Sequence, residues 1–272
     1  MSFNKNSVEY ENYLKNVKLR KIKIFITQIV LLIAFFVLWE VLADKNIINT
    51  FLFSKPSDIY SLFISYTSNG TLIKHVWVSV YETLIGLFIG STLGIIIAIM
   101  LWWSETLAKI LDPFLVVLNA LPKTALAPII IVWVVAGLEG IIVTAIAISI
   151  VITILSAYNY FTNMDEEQIK MLKSFGATKS QILFKLILPG NIGNLINLTK
   201  INIGMSWVGV IVGEFLVSRY GIGYLIVYGS QVFKLDVVMM GVFVLAVCAW
   251  GMYEVVNLIE KFYYYRQRRI KG

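Results

Sequence analysis

The sequence predicts an all-α integral membrane protein of six transmembrane helices, and three observations carry that prediction. Of 272 residues, 58% are hydrophobic and only 14% charged, against about 25% charged in an ordinary soluble domain. Six stretches reach the length of about 20 mostly apolar residues that crosses a hydrocarbon layer of ~30 Å at a rise of ~1.5 Å per residue. The lysines and arginines then fall mainly on one side of those stretches. A lone His75 and a lone Cys248 leave too few ligands for a zinc or iron–sulfur site within one chain and exclude an intrachain disulfide.

The elements follow in chain order. Residues 1–23 form a polar N-terminal arm, and the first span runs from Ile24 to Ala43. A cleaved secretory signal is disfavoured, because the apolar run is long and Val41-Leu42-Ala43-Asp44 is not a small-x-small cleavage site. Ser54-Lys55-Pro56-Ser57-Asp58 reads as a helix start and Asn69-Gly70 as its stop. Between them Ile59, Leu62, Phe63 and Tyr66 recur at helical spacing, as in an amphipathic helix lying on the outer membrane surface. The second span, His75 to Trp102, carries Gly86, Gly90 and Gly94 on one face. The third, Phe114 to Val135, contains Lys123, Pro122 and Pro128 and is expected to be broken or kinked. The fourth runs from Gly140 to Phe161, the fifth from Leu195 to Leu216 with Gly209 and Gly213, and the sixth from Val237 to Ile259. Together, residues 24–260 make one transmembrane domain, followed by a basic tail at 261–272. The glycine stripes permit close helix packing within one subunit or between subunits.

Orientation follows from charge. Lys5, Lys15, Lys18, Arg20, Lys21 and Lys23 precede the first span, and Lys261, Arg266, Arg268, Arg269 and Lys271 follow the last. Lys109, Lys170, Lys173, Lys179 and Lys185 lie in links on the same side, whereas Lys45, Lys55, Lys74, Arg219 and Lys234 lie opposite. Both termini are therefore expected in the cytoplasm. This partition also accounts for the net charge of +7, so the basic balance is no argument for a nucleic-acid partner.

The most informative stretch is the cytoplasmic link 163–192. A connector needs only a few residues, yet this one reads as two short helices with a break. Asp165 to Phe175 has acids first and lysines later, the order favoured by the helix dipole. Gly176 can close that helix in a left-handed conformation. Thr178 or Ser180 then caps a second helix, Gln181 to Leu188, which Pro189-Gly190 is expected to end. Its apolar residues, Ile182, Leu183, Phe184, Leu186, Ile187 and Leu188, are too many for a solvated face. They are covered either by the membrane surface and the protein's own spans or by a groove on a partner protein.

Gly176, nine intervening residues and Leu186-x-Leu188-Pro189 resemble the coupling-loop signature of ABC importer permeases. The sequence departs where that signature has Glu-Ala-Ala, since Lys170, Met171 and Leu172 stand there. Ser54-Lys55-Pro56-Ser57-Asp58, Gly70-Thr71-Leu72 with His75, Leu121-Pro122-Lys123-Thr124-Ala125-Leu126-Ala127-Pro128, Trp133 with Gly137, and Gly213-Glu214 with Gly221-Ile222-Gly223-Tyr224 are similar to the nitrate, sulfonate and taurine branch. Glu82 departs from it, since that branch usually carries Arg there. The resemblance implies a type I ABC importer permease fold with a cytoplasmic coupling helix between helices four and five. It implies a homodimer in the bacterial cytoplasmic membrane, joined by two ATPase subunits and an external substrate-binding protein. Phe175, Gly176, Ala177, Phe184, Leu186, Leu188 and Pro189 would meet the ATPase. ATP and Mg would be bound by that partner, because this chain has no Gly-x4-Gly-Lys-Ser/Thr phosphate loop and no cofactor motif of its own.

Polar residues at membrane depth mark a route or a pair, which selects Asn119, Thr124, Ser206 and Glu214 as candidates for the substrate path. Glu214 could instead form a structural ion pair, as with Arg219, or take an interfacial position at the outer end of its span, and Asn119 and Ser206 could bond neighbouring helices. His75 is expected as a wetted side chain at a span's outer end. A secondary transporter or another energy-coupling membrane subunit is the alternative class, but a secondary transporter offers no reason for the glycine-hinged link. An embedded enzyme would need a catalytic polar cluster that the spans lack.

Overall fold

The computed structural model describes residues 8–134 and 136–271, with side chains over 12–134 and 136–266. Lys5, Val135 and the side chains of Arg268, Arg269 and Lys271 thus lie outside the described part. The chain divides into two compact units, residues 1–64 and 65–272.

In the first unit α1 runs from Val8 to Asp44. No break separates residues 8–23 of the polar arm from the first span; they are one helix. A single turn, α2 (Thr50–Phe53), is capped by Asn49, whose Oδ1 accepts the Phe51 N–H at 2.9 Å. The amphipathic helix α3 (Pro56–Ser68) begins at its proline with Asp58 in the first turn. Its start is held from α1: Glu40 Oε2 accepts the Ser57 N–H at 3.1 Å, and Lys55 Nζ lies 3.4 Å from Asp44.

The second unit contains α4 (Thr71–Trp103), α5 (Glu105–Ala120), α6 (Lys123–Val134), α7 (Leu138–Thr162), α8 (Glu166–Ser174), α9 (Lys179–Ile182), a π turn (Leu183–Ile187), α10 (Leu188–Gly190), α11 (Ile192–Val217), α12 (Ile222–Gln231) and α13 (Leu235–Lys271). Among the described residues, α1, α4, α7, α11 and α13 are each long and apolar enough to cross a membrane, and α5 with α6 makes a sixth, bent pair. The bend is 100°. Leu121 before Pro122 is extended (ψ 138°), as steric contact with a proline ring demands, and Pro122 has no N–H with which to continue the helix. The apolar stretch expected from Phe114 therefore belongs to two helices, the first of which starts at Glu105. Likewise α13 absorbs the basic tail into the last span.

The core of this unit is the contact of α4 and α11 with α7. A Cβ on Gly86 would stand 2.7 Å from the Ala145 methyl, one on Gly90 2.5 Å from Ser149 Oγ, and one on Gly94 2.6 Å from Thr153 Cβ. On the other side, Gly209 meets the Ala145 backbone and Gly213 meets Ile141. Helix α7 is thus gripped between two glycine faces, the close approach that small residues allow in a setting with little hydrophobic drive between helices. Its hydroxyls are satisfied within the helix, Thr144 donating to Gly140 O at 2.8 Å and Thr153 to Ser149 O at 2.8 Å.

Candidate functional site

The link between α7 and α11 is built by local capping chemistry. Asp165 Oδ1 accepts the Glu167 N–H at 2.9 Å, starting α8. Lys170 pairs with Glu166 at 2.9 Å, which holds the Glu166 carboxyl below its ordinary value and the Lys170 ammonium above its own. Gly176 (φ +79°) closes α8: its N–H reaches Lys173 O at 2.9 Å, and the Ala177 N–H reaches Leu172 O at 3.0 Å. Thr178, rather than Ser180, caps α9. Its Oγ1 accepts the Gln181 N–H at 3.3 Å while Gln181 Oε1 accepts the Thr178 N–H at 2.8 Å, a reciprocal box.

One expectation is corrected here. Pro189-Gly190 does not end the second helix at Leu188; the chain passes through the π turn into α10, which contains both residues, and turns at Asn191. The wider turn accommodates a proline that cannot donate.

The apolar residues of the link divide between two fates. Ile182, Leu183 and Ile187 are buried against Ala98, Ala157, Phe161 and Leu198 of the bundle, with Leu186 and Leu188 half-buried beside them. Phe175 and Phe184 are 79% and 64% exposed. Lys179 pins the link to the end of α4, donating to Trp103 O at 2.6 Å and lying 5.6 Å from the Trp102 ring. Gly176 has open space around it.

At the opposite end of α4 a second constellation forms. Glu214 of α11 is 1% exposed and faces the start of α12. Its Oε2 accepts the Gly223 N–H at 2.5 Å, and its Oε1 accepts the Ser79 hydroxyl at 2.5 Å, whose oxygen accepts the Ile222 N–H at 2.7 Å. The carboxyl thus sits on the unpaired donors at a helix N-terminus. Gly221 (φ +114°) lies against that carboxyl, with no room for a side chain. Glu82, on α4 with Ser79, is buried, and its Oε2 has no hydrogen-bond partner among the described residues.

Two expectations fail at this end. His75 is not wetted: it is 6% exposed, its Nδ1 is 2.9 Å from Gly221 N and 3.0 Å from Gly221 O, and its ring stacks on Tyr224 at 5.7 Å. Glu214 makes no ion pair with Arg219 among the described residues; it is held by Ser79 and backbone amides instead.

The four path candidates do not converge. Asn119 and Thr124 are exposed on α5 and α6, where Lys123 Nζ reaches Asn119 O at 3.1 Å. Ser206 and Glu214 are buried in α11. Ser206 Oγ and Trp207 Nε1 have no partner. One turn away, Asn202 donates to Ser91 at 2.9 Å and to Thr153 at 2.8 Å, joining three helices. Asn202 was missed in the sequence, although its place four residues before Ser206 puts both on one helical face.

Five helices of spanning length and a bent pair among the described residues, with a capped helical link anchored to α4, α7 and α11, define a multi-pass membrane subunit. The chain belongs to the family described as binding-protein-dependent transport system inner membrane component, which it matches over residues 90–269. It is therefore the permease component of an importer. It is 25% identical over 226 residues to the putative aliphatic sulfonates transport permease protein SsuC of Bacillus subtilis (strain 168), covering 82% of this chain and 81% of that one. It is 23% identical to the taurine transport system permease protein TauC of Escherichia coli (strain K12), over 78% of this chain and 79% of that one. With the formylaminopyrimidine transport permease protein ThiX of Halalkalibacterium halodurans it shares 24% identity, over 69% and 74% respectively. Its fold is similar to a chain of the MetNI methionine ABC transporter in an inward-facing conformation, with TM-score 0.62, 18% identity, 72% of this chain and 97% of that chain covered.

Proposed function

We propose that this permease acts as a homodimer whose α8–α10 link, on the cytoplasmic side with both termini, is cranked by two ATPase subunits while a substrate-binding protein docks outside. The observation that carries the reading is the exposure of Phe175 and Phe184 on a link otherwise rigidly tied to the spans. The buried residues Ile182, Leu183 and Ile187 carry displacement into α4, α7 and α11, and the two exposed rings remain for a partner's groove. Gly176, Ala177, Leu186, Leu188 and Pro189 shape the turn between them. ATP and Mg belong to the partner, and this chain supplies no chemistry of its own. A gate moves only as far as its partners bind the two states differently, so the contact at residues 175–189 changes strength or geometry during the cycle.

Cargo is proposed to be a small solute such as a sulfonate, taurine or a pyrimidine compound, in keeping with the relatives' names, and it would pass near Asn119, Thr124 and Ser206. Glu214, given its contacts, holds the outer corner in place. Phe184→Asp tests the link. Its side chain leaves the core undisturbed, so the variant should insert and fold normally but lose ATPase co-purification. An intact complex on gel filtration would show the contact to be elsewhere.

A further inference from the structure

Where the ends of α4 and α7 meet the link, a cavity of about 420 Å³ opens, within the range of about 300–1,000 Å³ typical of small-molecule sites. Its wall is apolar at Leu101, Phe161 and Ile182 and cationic at Lys173 and Lys179. Neither lysine forms an ion pair among the described residues. Glu105 also lines the cavity, but its carboxylate is taken by Lys109 at 2.8 Å, so positive charge is left in excess. The Lys179 ammonium is already fixed in place: it donates to Trp103 O at 2.6 Å and lies 5.6 and 5.8 Å from the Trp102 and Trp103 rings. An ammonium carries three hydrogens, so two remain for an acceptor from outside. Trp102 and Trp103 close α4, a helix of spanning length, and tryptophans at a span's end sit at the level of the lipid headgroups.

We propose that this cavity holds the headgroup phosphate of an anionic phospholipid, gripped by Lys173 and Lys179, with the apolar wall taking its first acyl carbons. Basic pockets at the ends of spanning helices select anionic headgroups in this way; a zwitterionic headgroup brings its own cation and gains less. A phosphate seated there bridges α8 and α9, the two helices that flank Gly176, and so braces the hinge against the bundle. That last consequence rests on the lever reading of the link, whereas the binding itself does not.

Native mass spectrometry and thermal unfolding of the full chain in nanodiscs test the site without the ATPase, so its failure and that of the lever are separate results. When phosphatidylglycerol is added to phosphatidylcholine, one phosphatidylglycerol should stay bound and the melting temperature should rise. Lys173→Gln alters an exposed side chain and should weaken retention by about fivefold, the worth of one basic residue at an anionic surface. Adding Lys179→Gln should bring the loss to about 25-fold, while Lys21→Gln, which removes a charge that does not line the cavity, should keep the lipid. Equal retention by the double variant, equal loss in Lys21→Gln, or no preference for phosphatidylglycerol over phosphatidylcholine would overturn the assignment. So would an equal rise in melting temperature from inorganic phosphate in phosphatidylcholine alone, which would make the occupant a free anion. The wild-type comparisons and Lys173→Gln stand even if the double variant fails to fold.

Discussion

Replacing Gly209 with alanine should destabilise the bundle, whereas the same replacement at Gly204 in the same helix should not. A Cβ at 209 would fall onto the Ala145 backbone, 3.0 Å from its nitrogen and 3.2 Å from its methyl. Carbon atoms rest at about 3.5–4.0 Å, so α11 and α7 must part by roughly 1 Å, forfeiting a quarter to a half of each contact's attraction. Ala145 cannot retreat, because Gly86 of α4 already stands against its other face. Overpacking of this kind costs about 1–3 kcal/mol, here toward the upper end since the obstacle is backbone, and alanine's better helix propensity returns about 1 kcal/mol. A net loss of about 2 kcal/mol is expected. At Gly204 nothing lies within 4 Å, so only the propensity gain of about 1 kcal/mol remains. The two variants should then melt about 6 °C or more apart at roughly 2–4 °C per kcal/mol, measured by thermal unfolding in nanodiscs. Equal melting temperatures, or Gly209→Ala the more stable, would refute the close-packing account of the α7–α11 seam.

Three further outcomes are expected. Gly176→Pro should leave the protein inserted but uncouple uptake from ATP hydrolysis in the reconstituted complex, since φ near +79° is closed to proline; normal uptake would count against the lever. Ser79→Ala should lower stability by about 1–3 kcal/mol by stripping partners from both Glu214 and the Ile222 amide; unchanged denaturation would mean that corner is already wet. Because Lys170 depresses the Glu166 carboxyl, the pair supports α8 at pH above the unfolded value of about 4.3 and loses that support as pH falls through the depressed one. Hydrogen-exchange protection across 166–174, after correction for the intrinsic pH dependence of amide exchange, should therefore fall on acidification, and Lys170→Ala should show the lower protection already at neutral pH.

Much of the link was legible because capping is local. Asp165, Gly176 and Thr178 each bond within five positions of themselves, so residue type and spacing suffice to place the helices. The π turn was not, because a wider turn through Leu183–Ile187 has no residue signature of its own and is selected by packing three apolar side chains into the bundle. The same packing decided which rings stay exposed: periodicity marks Phe184 and Ile187 as equally apolar, and only the position of α4, α7 and α11 buries one of them.

Sequence alone determined the apolar spans, the break at Pro122 and the capped hinge, since membrane thickness, a missing N–H and a cap within one turn all act over short stretches of chain. Tertiary structure alone decided the corner where α4 meets the start of α12. His75 meets Gly221 across 146 positions and Ser79 meets Glu214 across 135, and no local rule joins residues so far apart. Their pairing follows from the glycine faces that bring α4 and α11 onto α7, which sets Glu214 against Ser79 and the first amides of α12.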